Sequence, residues 1–276
     1  MCGMFNHLKE RRGKAVRAEF GSLLASCPDQ YISNFCTIGG AAEHVRVIER
    51  LLGDSKSQRI LVVGVFGGRD FWGMRALGHN VIGLNLTPEP GCPETLVGNA
   101  EESWPFPDSC FDVVIAGEIL EHLIRDHNAL AQAYRVLSPS GKLILTVPFI
   151  HDEPDYHVRV HTPRSIQRLL THCGFHVHRY LERPGIPFKP LLNRAINFVN
   201  LLSLIFTDRT HYRRWLEIIG DWEYDWSAKF NNLRSIAGKA RVSNWGCVIL
   251  AYKTALSQSY LDINEAAFRV PDAHGP

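Results

Sequence analysis

The chain has 276 residues, of which 45% are hydrophobic and 21% charged, and its formal net charge at pH 7 is +2. These proportions are typical of a globular protein, and the near-neutral charge argues against nucleic acid as a partner, because such proteins usually show a strong basic excess. The seven cysteines are scattered and never spaced as C-x-x-C, which argues against a disulfide framework and predicts a reducing, cytoplasmic location.

The first part of the chain, residues 1–57, is expected to be a helical segment. Residues 4–26 read as a basic, moderately amphipathic helix, and residues 41–52 as a second helix that ends before Gly53. The basic start lacks the apolar core of a secretory signal. No run approaches the roughly 18 apolar residues that a membrane-spanning helix needs.

Short apolar runs then alternate with helical patterns. The runs that read as strands cover residues 59–64, 80–84, 95–97, 110–116, 141–147, 175–180 and 245–253. The helical patterns between them end at Gly78 or cover residues 119–136 and 163–173. Strands that alternate with helices at this spacing predict an α/β fold with a doubly wound parallel sheet. We expect a core at 58–183, a helical insertion at 184–243, a final core strand at 244–257 and a flexible tail at 258–276.

Two strand ends carry residues that suit a ligand better than a core. A glycine-rich turn, residues 64–68, follows the first strand, and Gly117 and Glu118 follow the fourth. Ligands of open parallel sheets bind at the carboxyl ends of the strands, where glycine lets the backbone approach closely. The glycine turn alone also fits an ordinary connection after a strand.

In combination, these segments resemble a known family. Residues 111–123 follow the pattern F-D-V-V-x-x-x-E-x-L-E-H-L, and residues 98–108 read G-N-A-E-E-S-W-P-F-P-D. With the glycine turn, they resemble the class I S-adenosylmethionine-dependent methyltransferases of the type-11, small-molecule family. The resemblance implies a Rossmann-like, mostly parallel sheet of seven strands with helices on both faces. It also implies a last strand that runs antiparallel beside the sixth, and S-adenosyl-L-methionine as the cofactor.

The resemblance also implies which residues bind the cofactor. They are Gly64, Phe66, Gly68, Asn85, Asn99, Ala100, Glu118 and His122. Glu118 is expected beside the methionine part, where its carboxylate suits the cationic ammonium group. His122, one helical turn on, is expected to face the same way. Glu121 equally fits the first turn of a helix, where the helix dipole favours an acid.

The chain departs from the family's usual residues at Val62, Phe66, Asn85 and Asn99. Val62 stands where the family often has an acid, and Phe66 where it usually has glycine. Asn85 and Asn99 replace acids that in the family meet the ribose hydroxyls and the adenine amino edge. Because an amide lacks the charge-assisted strength of a carboxylate, we expect weaker cofactor binding, unless Thr87 or Glu89 contributes.

A loop dense in polar side chains follows the fifth predicted strand, at residues 148–163. It resembles the P-x-D-Y-x-R-x-x-T stretch of some family members, including sugar and glycolipid-associated methyltransferases. A hydroxyl acceptor would need a general base, for which His151, His157 and His161 are the candidates, whereas a carboxylate acceptor would not. The loop offers ligand side chains but no clean spacing such as H-E-x-x-H, so no metal ion is expected.

The insertion carries a strongly apolar stretch, residues 191–206, with basic side chains around it. This pattern fits a lid over a lipid-like substrate, or a helix that lies in a membrane interface as a peripheral contact. It equally fits a helix that packs on the sheet or on a second subunit in a homodimer.

The sequence thus predicts a methyltransferase that acts on a small-molecule or lipid-linked, glycolipid-like acceptor. The methyl group would pass to a nucleophile by in-line displacement, and alignment of the reacting atoms would be the main contribution of the enzyme. The alternative is a non-catalytic binding or scaffolding protein, because the four departures all remove polar contacts to the cofactor and fold alone does not establish chemistry. A nicotinamide-dependent oxidoreductase is disfavoured, because the chain lacks G-x-G-x-x-G.

Overall fold

Seven strands form one sheet in the computed structural model, which describes residues 2–36, 42–53, 57–149, 157–184, 189–237 and 244–254. The strands are β1 (Arg59–Val63), β2 (Asn80–Asn85), β3 (Thr95–Val97), β4 (Phe111–Gly117), β5 (Leu137–Pro148), β6 (Phe175–Pro184) and β7 (Asn244–Lys253). Their order across the sheet is β3-β2-β1-β4-β5-β7-β6. The expected tail at 258–276 lies outside the described residues.

The central strands are parallel and apolar on both faces, as buried parallel strands require. In β1, Val62 pairs in register with Gly83 of β2 and Ile115 of β4. Val62 is also buried, so it packs in the core. The last strand, β7, is antiparallel to both of its neighbours and lies between β5 and β6. The doubly wound, seven-stranded fold with its antiparallel last strand is therefore confirmed.

Helices cover both faces of the sheet. They are α1 (Cys2–Phe20), α2 (Asp29–Ile32), α3 (Ala42–Leu52), α4 (Arg69–Ala76), α5 (Asp126–Val136), α6 (Pro163–His172), α7 (Lys189–Thr207) and α8 (Tyr212–Ala237). The side chains of Val62 and Ile115 share one core cluster with Phe71 and Trp72 of α4. Those of Leu61 and Val114 share the other with residues of α5 and α6.

The helix expected at 119–136 begins only at Asp126. Before it, Leu120–His122 form a short 3-10 turn. The carboxylate of Glu101 explains why the helix begins later than expected. It accepts hydrogen bonds from the backbone amides of Ile124 (3.0 Å) and Arg125 (3.3 Å). Because those two amides are tied to the loop after β3, the segment in front of Asp126 does not join the helix. The expectation that His122 lies one helical turn after Glu118 is therefore wrong.

The first helix also ends earlier than residue 26, at Phe20. Gly21 follows it with φ +62°, a left-handed conformation that favours glycine and ends a helix. The chain continues through a 3-10 turn into α2, which the sequence pattern did not predict. Tyr31 of α2 is buried against the glycine turn after β1, so this segment supports the site described below.

The helix α7 has an unusual distribution of side chains. Its buried residues are Asn193, Ile196, Asn200 and Leu204. Its exposed face carries large apolar side chains, namely Leu191, Leu192, Phe198, Val199, Leu202, Ile205 and Phe206. Among the described residues, no helix is long and apolar enough to span a membrane.

Candidate functional site

A cavity of about 850 Å³ opens at the carboxyl ends of the central strands. Residues 64–67 and 69–70 line it after β1, residues 84–86 after β2, residues 98–101 after β3, and residues 117–119 and 122–123 after β4. Such a crevice is where ligands of open α/β sheets bind, because the connections leave room there.

Seven of the eight predicted cofactor-binding residues line this cavity. They are Gly64, Phe66, Asn85, Asn99, Ala100, Glu118 and His122. The eighth, Gly68, is not among the lining residues. It is buried, and a Cβ there would lie 2.5 Å from the ring of Tyr31, so its small size permits packing beneath the site. Phe66 is 89% exposed at the rim.

Two glycines shape the wall after β1. Gly64 has φ +77°, and its amide donates a hydrogen bond to the carbonyl of Leu84 at 2.9 Å. A Cβ at Gly64 would lie 2.4 Å from Ile119 Cδ1, so the turns after β1 and β4 approach each other closely here. Gly67 also has a positive φ, of +73°, and open space beside it.

A buried ion pair lies at the start of α4, next to these glycines. The guanidinium of Arg69 donates two hydrogen bonds of 2.8 Å to the two carboxylate oxygens of Asp70. Burial works against the charged carboxylate, but Arg69 outweighs it and lowers the pKa of Asp70. His44 of α3 lies against the same carboxylate, at 3.8 Å from Nε2 to Oδ1. Burial and the charge of Arg69 hold the pKa of His44 well below its usual value.

The two asparagines that replace acids are engaged in local turns. The side-chain amide of Asn85 donates a hydrogen bond to the backbone carbonyl of Thr87 at 3.0 Å. The side-chain oxygen of Asn99 accepts from the amide of Glu101 at 2.9 Å. Glu89 accepts a hydrogen bond from the hydroxyl of Tyr31 and, like Thr87, is not among the lining residues. The expected assistance from Thr87 or Glu89 therefore has no support in the geometry.

Glu118 is the predicted acid that the structure places in the cavity wall. Its φ of +53° is uncommon for a residue with a side chain and marks local backbone strain. The amide of Glu118 donates to the carbonyl of Thr146 at 3.0 Å, which holds this conformation. Its carboxylate lies 3.4 Å from the guanidinium of Arg183 on β6.

A second cluster adjoins the cavity at His122. The rings of His122 and His157 meet edge to face, with centroids 4.7 Å apart. Glu121, only 2% exposed, lies beside them, with Oε1 at 3.8 Å from Nε2 of His122. Burial raises the pKa of the Glu121 carboxyl to about 8. The structure therefore brings a predicted cofactor residue and a predicted general base together.

The three predicted base candidates are placed differently. His157 contacts His122, which lines the cavity. His161 is buried, with Nε2 at 3.6 Å from a carboxylate oxygen of Asp126, and it is not among the lining residues. His151 lies outside the described residues.

The sequence patterns missed Arg69, Asp70 and Glu101 as cavity residues. Arg69 and Asp70 begin α4 directly after the glycine turn, so their place next to that turn was an available signal. The role of Glu101 depends on the loop after β4, which lies far along the chain.

Residues 61–145 match the family model described as a methyltransferase domain. This stretch is a class I S-adenosylmethionine-dependent methyltransferase domain of the type-11 family, and its cofactor is S-adenosyl-L-methionine. The predictions of family, enzyme class and cofactor are thus confirmed. No curated protein sequence is significantly similar to the chain.

The solved structures that resemble the chain include the following two, whose sequence identity is low, and the likeness shows the fold alone. The 1,6-didemethyltoxoflavin-N1-methyltransferase of Burkholderia thailandensis, solved with S-adenosylhomocysteine bound, is 16% identical with a TM-score of 0.50. That match covers 78% of this chain and 79% of the other. The cyclase SpnF is 17% identical with a TM-score of 0.50, and the match covers 77% and 81% of the two chains.

Proposed function

We propose that this methyltransferase domain methylates a small-molecule acceptor in the cavity described above, and that the acceptor is lipid-linked. The observation that carries the proposal is the cavity itself. It joins a glycine turn of positive φ after β1 to the acidic, strained Glu118 after β4. Backbone without side chains on one wall and a carboxylate on the other suit a cationic nucleoside ligand.

The lining residues fit the parts of the cofactor. Gly64 and Gly67 leave space where side chains would otherwise fill the wall. Glu118 would hold the ammonium group of the methionine part, since its carboxylate lines the cavity. Arg69 gives two of its five N–H donors to Asp70, and its guanidinium suits the methionine carboxylate. Asn85 and the segment of Asn99 and Ala100 would meet the ribose and the adenine.

When bound, S-adenosylmethionine would supply an electrophilic methyl group; the acceptor's nucleophile would take it by in-line displacement, with S-adenosylhomocysteine as the leaving group. The residues of the chain align the two partners and exclude water, and such alignment removes a large part of a barrier of this kind. A hydroxyl acceptor must also lose a proton. His157 is the predicted base whose ring lies against a cavity residue, at 4.7 Å from His122 between ring centroids.

The exposed face of α7 supports a lipid-linked acceptor. Phe198 and Phe206 are 60% and 81% exposed, whereas Asn193 and Asn200 of the same helix are buried. Arg194 of α7 is exposed, and so are Arg209 and Arg214, which follow the helix closely in sequence. An exposed apolar helix face with cationic residues nearby in sequence suits a helix that lies on an anionic membrane surface. On this proposal α7 makes a peripheral membrane contact. The competing hypothesis is that the exposed face of α7 packs against a second copy of the chain.

A cytoplasmic location belongs to the same proposal. The six cysteines whose side chains are described are Cys27, Cys36, Cys92, Cys110, Cys173 and Cys247, and all are free. Free thiols agree with a reducing compartment.

A non-catalytic binding protein is the second candidate, and one observation favours it. The side chains of Asn85 and Asn99 both make local hydrogen bonds in their own turns. If those bonds persist, the polar contacts to the ribose and adenine are weak, and methyl transfer loses the positioning on which it depends.

Calorimetric titration with S-adenosylmethionine and S-adenosylhomocysteine tests the assignment of the cavity, with two matched glycine variants. Gly67 and Gly78 both have a positive φ and open space, but only Gly67 lines the cavity. Gly67→Leu and Gly78→Leu therefore carry similar backbone strain. We expect binding to the wild type and to Gly78→Leu, and at least tenfold weaker binding to Gly67→Leu. Wild-type protein that binds neither compound at millimolar concentration would overturn the proposal that this cavity serves methyl transfer.

The acceptor is tested by transfer of a labelled methyl group. The protein and labelled cofactor are incubated with lipid extract or with the water-soluble fraction of the same cells. Label that enters only lipid supports the proposal. Label that enters only a water-soluble product contradicts the lipid-linked part, and bound cofactor without any transfer favours the non-catalytic alternative.

A further inference from the structure

Three side chains of metal-ligand type converge next to the cavity. The ligand atoms of Glu121, His122 and His157 all lie within 4.8 Å of one another. Two of them come from the 3-10 turn after β4, and the third comes from the segment in front of α6. The amide of Val158 donates a hydrogen bond of 2.8 Å to the carbonyl of Glu121. This backbone bond holds the two segments together, so the three side chains are placed by the fold.

The carboxylate of Glu121 is the observation that points to a ligand. Its Oε2 is buried and has no hydrogen-bond partner among the described residues. Its other oxygen lies 3.8 Å from His122 Nε2, which is longer than a hydrogen bond. A buried polar oxygen without a partner is costly, and a cation between the three side chains would satisfy it.

We propose that Glu121, His122 and His157 bind a divalent transition-metal ion of the Zn²⁺ or Mn²⁺ type. One carboxylate and two imidazoles form a ligand set that suits these ions, whereas Mg²⁺ and Ca²⁺ prefer oxygen ligands throughout. Three protein ligands leave at least one coordination position open, which is the arrangement of catalytic rather than structural sites.

The site deepens the proposed function and rests on it in one respect, namely that the acceptor enters the cavity. His122 lines that cavity, so the open coordination position would face the acceptor. A hydroxyl oxygen bound to such an ion gives up its proton to water at lower pH, because the positive charge stabilises the resulting anion. The acceptor would then be an alcohol or phenol, and His157 would act as a metal ligand and not as a general base.

Metal binding itself is measured without any methyl transfer. Full-length protein, dialysed against a chelator, is titrated calorimetrically with ZnSO₄, MnCl₂ and MgCl₂, and bound Mn²⁺ is counted by electron paramagnetic resonance. We expect one Zn²⁺ or Mn²⁺ per chain and much weaker binding of Mg²⁺. The variants Glu121→Gln and His157→Gln are expected to bind at least tenfold more weakly. His176→Gln, which changes an exposed histidine of β6 outside the cluster, is expected to bind like the wild type.

Each outcome decides between the possibilities. The proposal is overturned if the wild type takes up neither ion at millimolar concentration, or if Glu121→Gln and His157→Gln bind like the wild type. His157 is half-buried, so its variant tests the site even if Glu121→Gln unfolds, which urea denaturation detects. Titration with S-adenosylhomocysteine is run in parallel. Protein that binds the metal but not this compound would retain the metal site and lose the proposed function.

Discussion

Gly117 lies directly against the carboxylate of Asp70. A Cβ added at Gly117 would lie 2.4 Å from Asp70 Oδ2 and 2.5 Å from Arg69 Nη2. The end of β4 and the start of α4 therefore approach so closely that only glycine leaves room for the buried ion pair. This contact joins the two halves of the cavity wall.

Replacing Gly117 with alanine should displace the Arg69–Asp70 pair. We expect Gly117→Ala to lower the free energy of unfolding by about 2 kcal/mol, because overpacking forces buried groups apart. Affinity for S-adenosylhomocysteine should fall as well, since both partners line the cavity. Urea unfolding and calorimetry measure the two effects. Gly13→Ala in α1 is the control, because its Cβ would meet its nearest neighbour at an ordinary 3.6 Å. Equal behaviour of the two variants would contradict this account of the contact.

Glu118 should matter for binding more than for stability. Glu118→Gln keeps the size of the side chain but removes its charge. We expect about tenfold weaker binding of S-adenosylmethionine, since a hydrogen bond to a charged group is worth about 1.5–3 kcal/mol. Glu118→Gly should weaken binding similarly while stability changes by less than about 1 kcal/mol, because the relieved strain at positive φ offsets the added freedom of the unfolded chain. Ser109→Gly, which relieves a similar φ of +56° outside the cavity, should leave binding unchanged.

The exposed face of α7 should bind anionic membranes. We expect the wild type to sediment with vesicles of phosphatidylcholine and phosphatidylglycerol, and less with phosphatidylcholine alone. The double variant Phe198→Ser, Phe206→Ser should lose this binding and keep its unfolding midpoint, because both side chains are exposed. Leu96→Ser, on the sheet edge strand β3, is the control for a generally less apolar surface. A wild-type protein that forms a dimer through α7 and does not bind vesicles would instead support packing of this face against a second copy of the chain.

Stability should fall on the acid side of neutrality, in part through His44. Its pKa is held well below the usual value in the folded chain. The unfolded chain therefore binds a proton at about pH 6.5 that the folded chain does not, so the free energy of unfolding decreases as the pH falls below that value. Burial also lowers the pKa of His79 and of His161, which adds to the effect.

The contribution of His44 is measured with His44→Phe. Between about pH 7 and about pH 5.5, this variant should lose about 1 kcal/mol less stability than the wild type. His176→Gln, at an exposed position, should lose as much as the wild type. Urea denaturation at the two pH values provides the comparison. The same pH dependence in all three proteins would show that His44 is not a cause.

The parts of the fold that could be predicted from the sequence are those whose residue pattern matches their burial in the folded chain. Runs such as 60–63 are apolar throughout because both faces of a parallel strand are covered. The start of α5 was not predictable from its own residues, because the backbone amides of Ile124 and Arg125 donate hydrogen bonds to the Glu101 side chain and not to helix carbonyls. That tie joins two distant segments, and no local pattern contains it.

The site was predictable to a similar extent, and for the same reason. Glu118 and His122 both line the cavity, although they do not share a helical turn. The pair of Arg69 and Asp70 was missed, because charged neighbours at a helix start usually face solvent, and only the tertiary structure shows their burial. The face of α7 is a sharper case. Its apolar stretch predicted an interaction element, but only the packing shows that asparagines face inward.

The position of β7 has a consequence for how the chain is made. Residues 244–253 pair with β5 on one side and β6 on the other, yet they are synthesised after both. Until they leave the ribosome, each of those strands presents an unpaired edge, which is a surface prone to wrong pairing. Both α7 and α8 are synthesised during this interval, so the apolar face of α7 is present before the sheet is complete. The strand β7 thus joins β6 to the rest of the sheet, and a ribosome that stalls within the insertion would release a chain in which β6 has no partner strand.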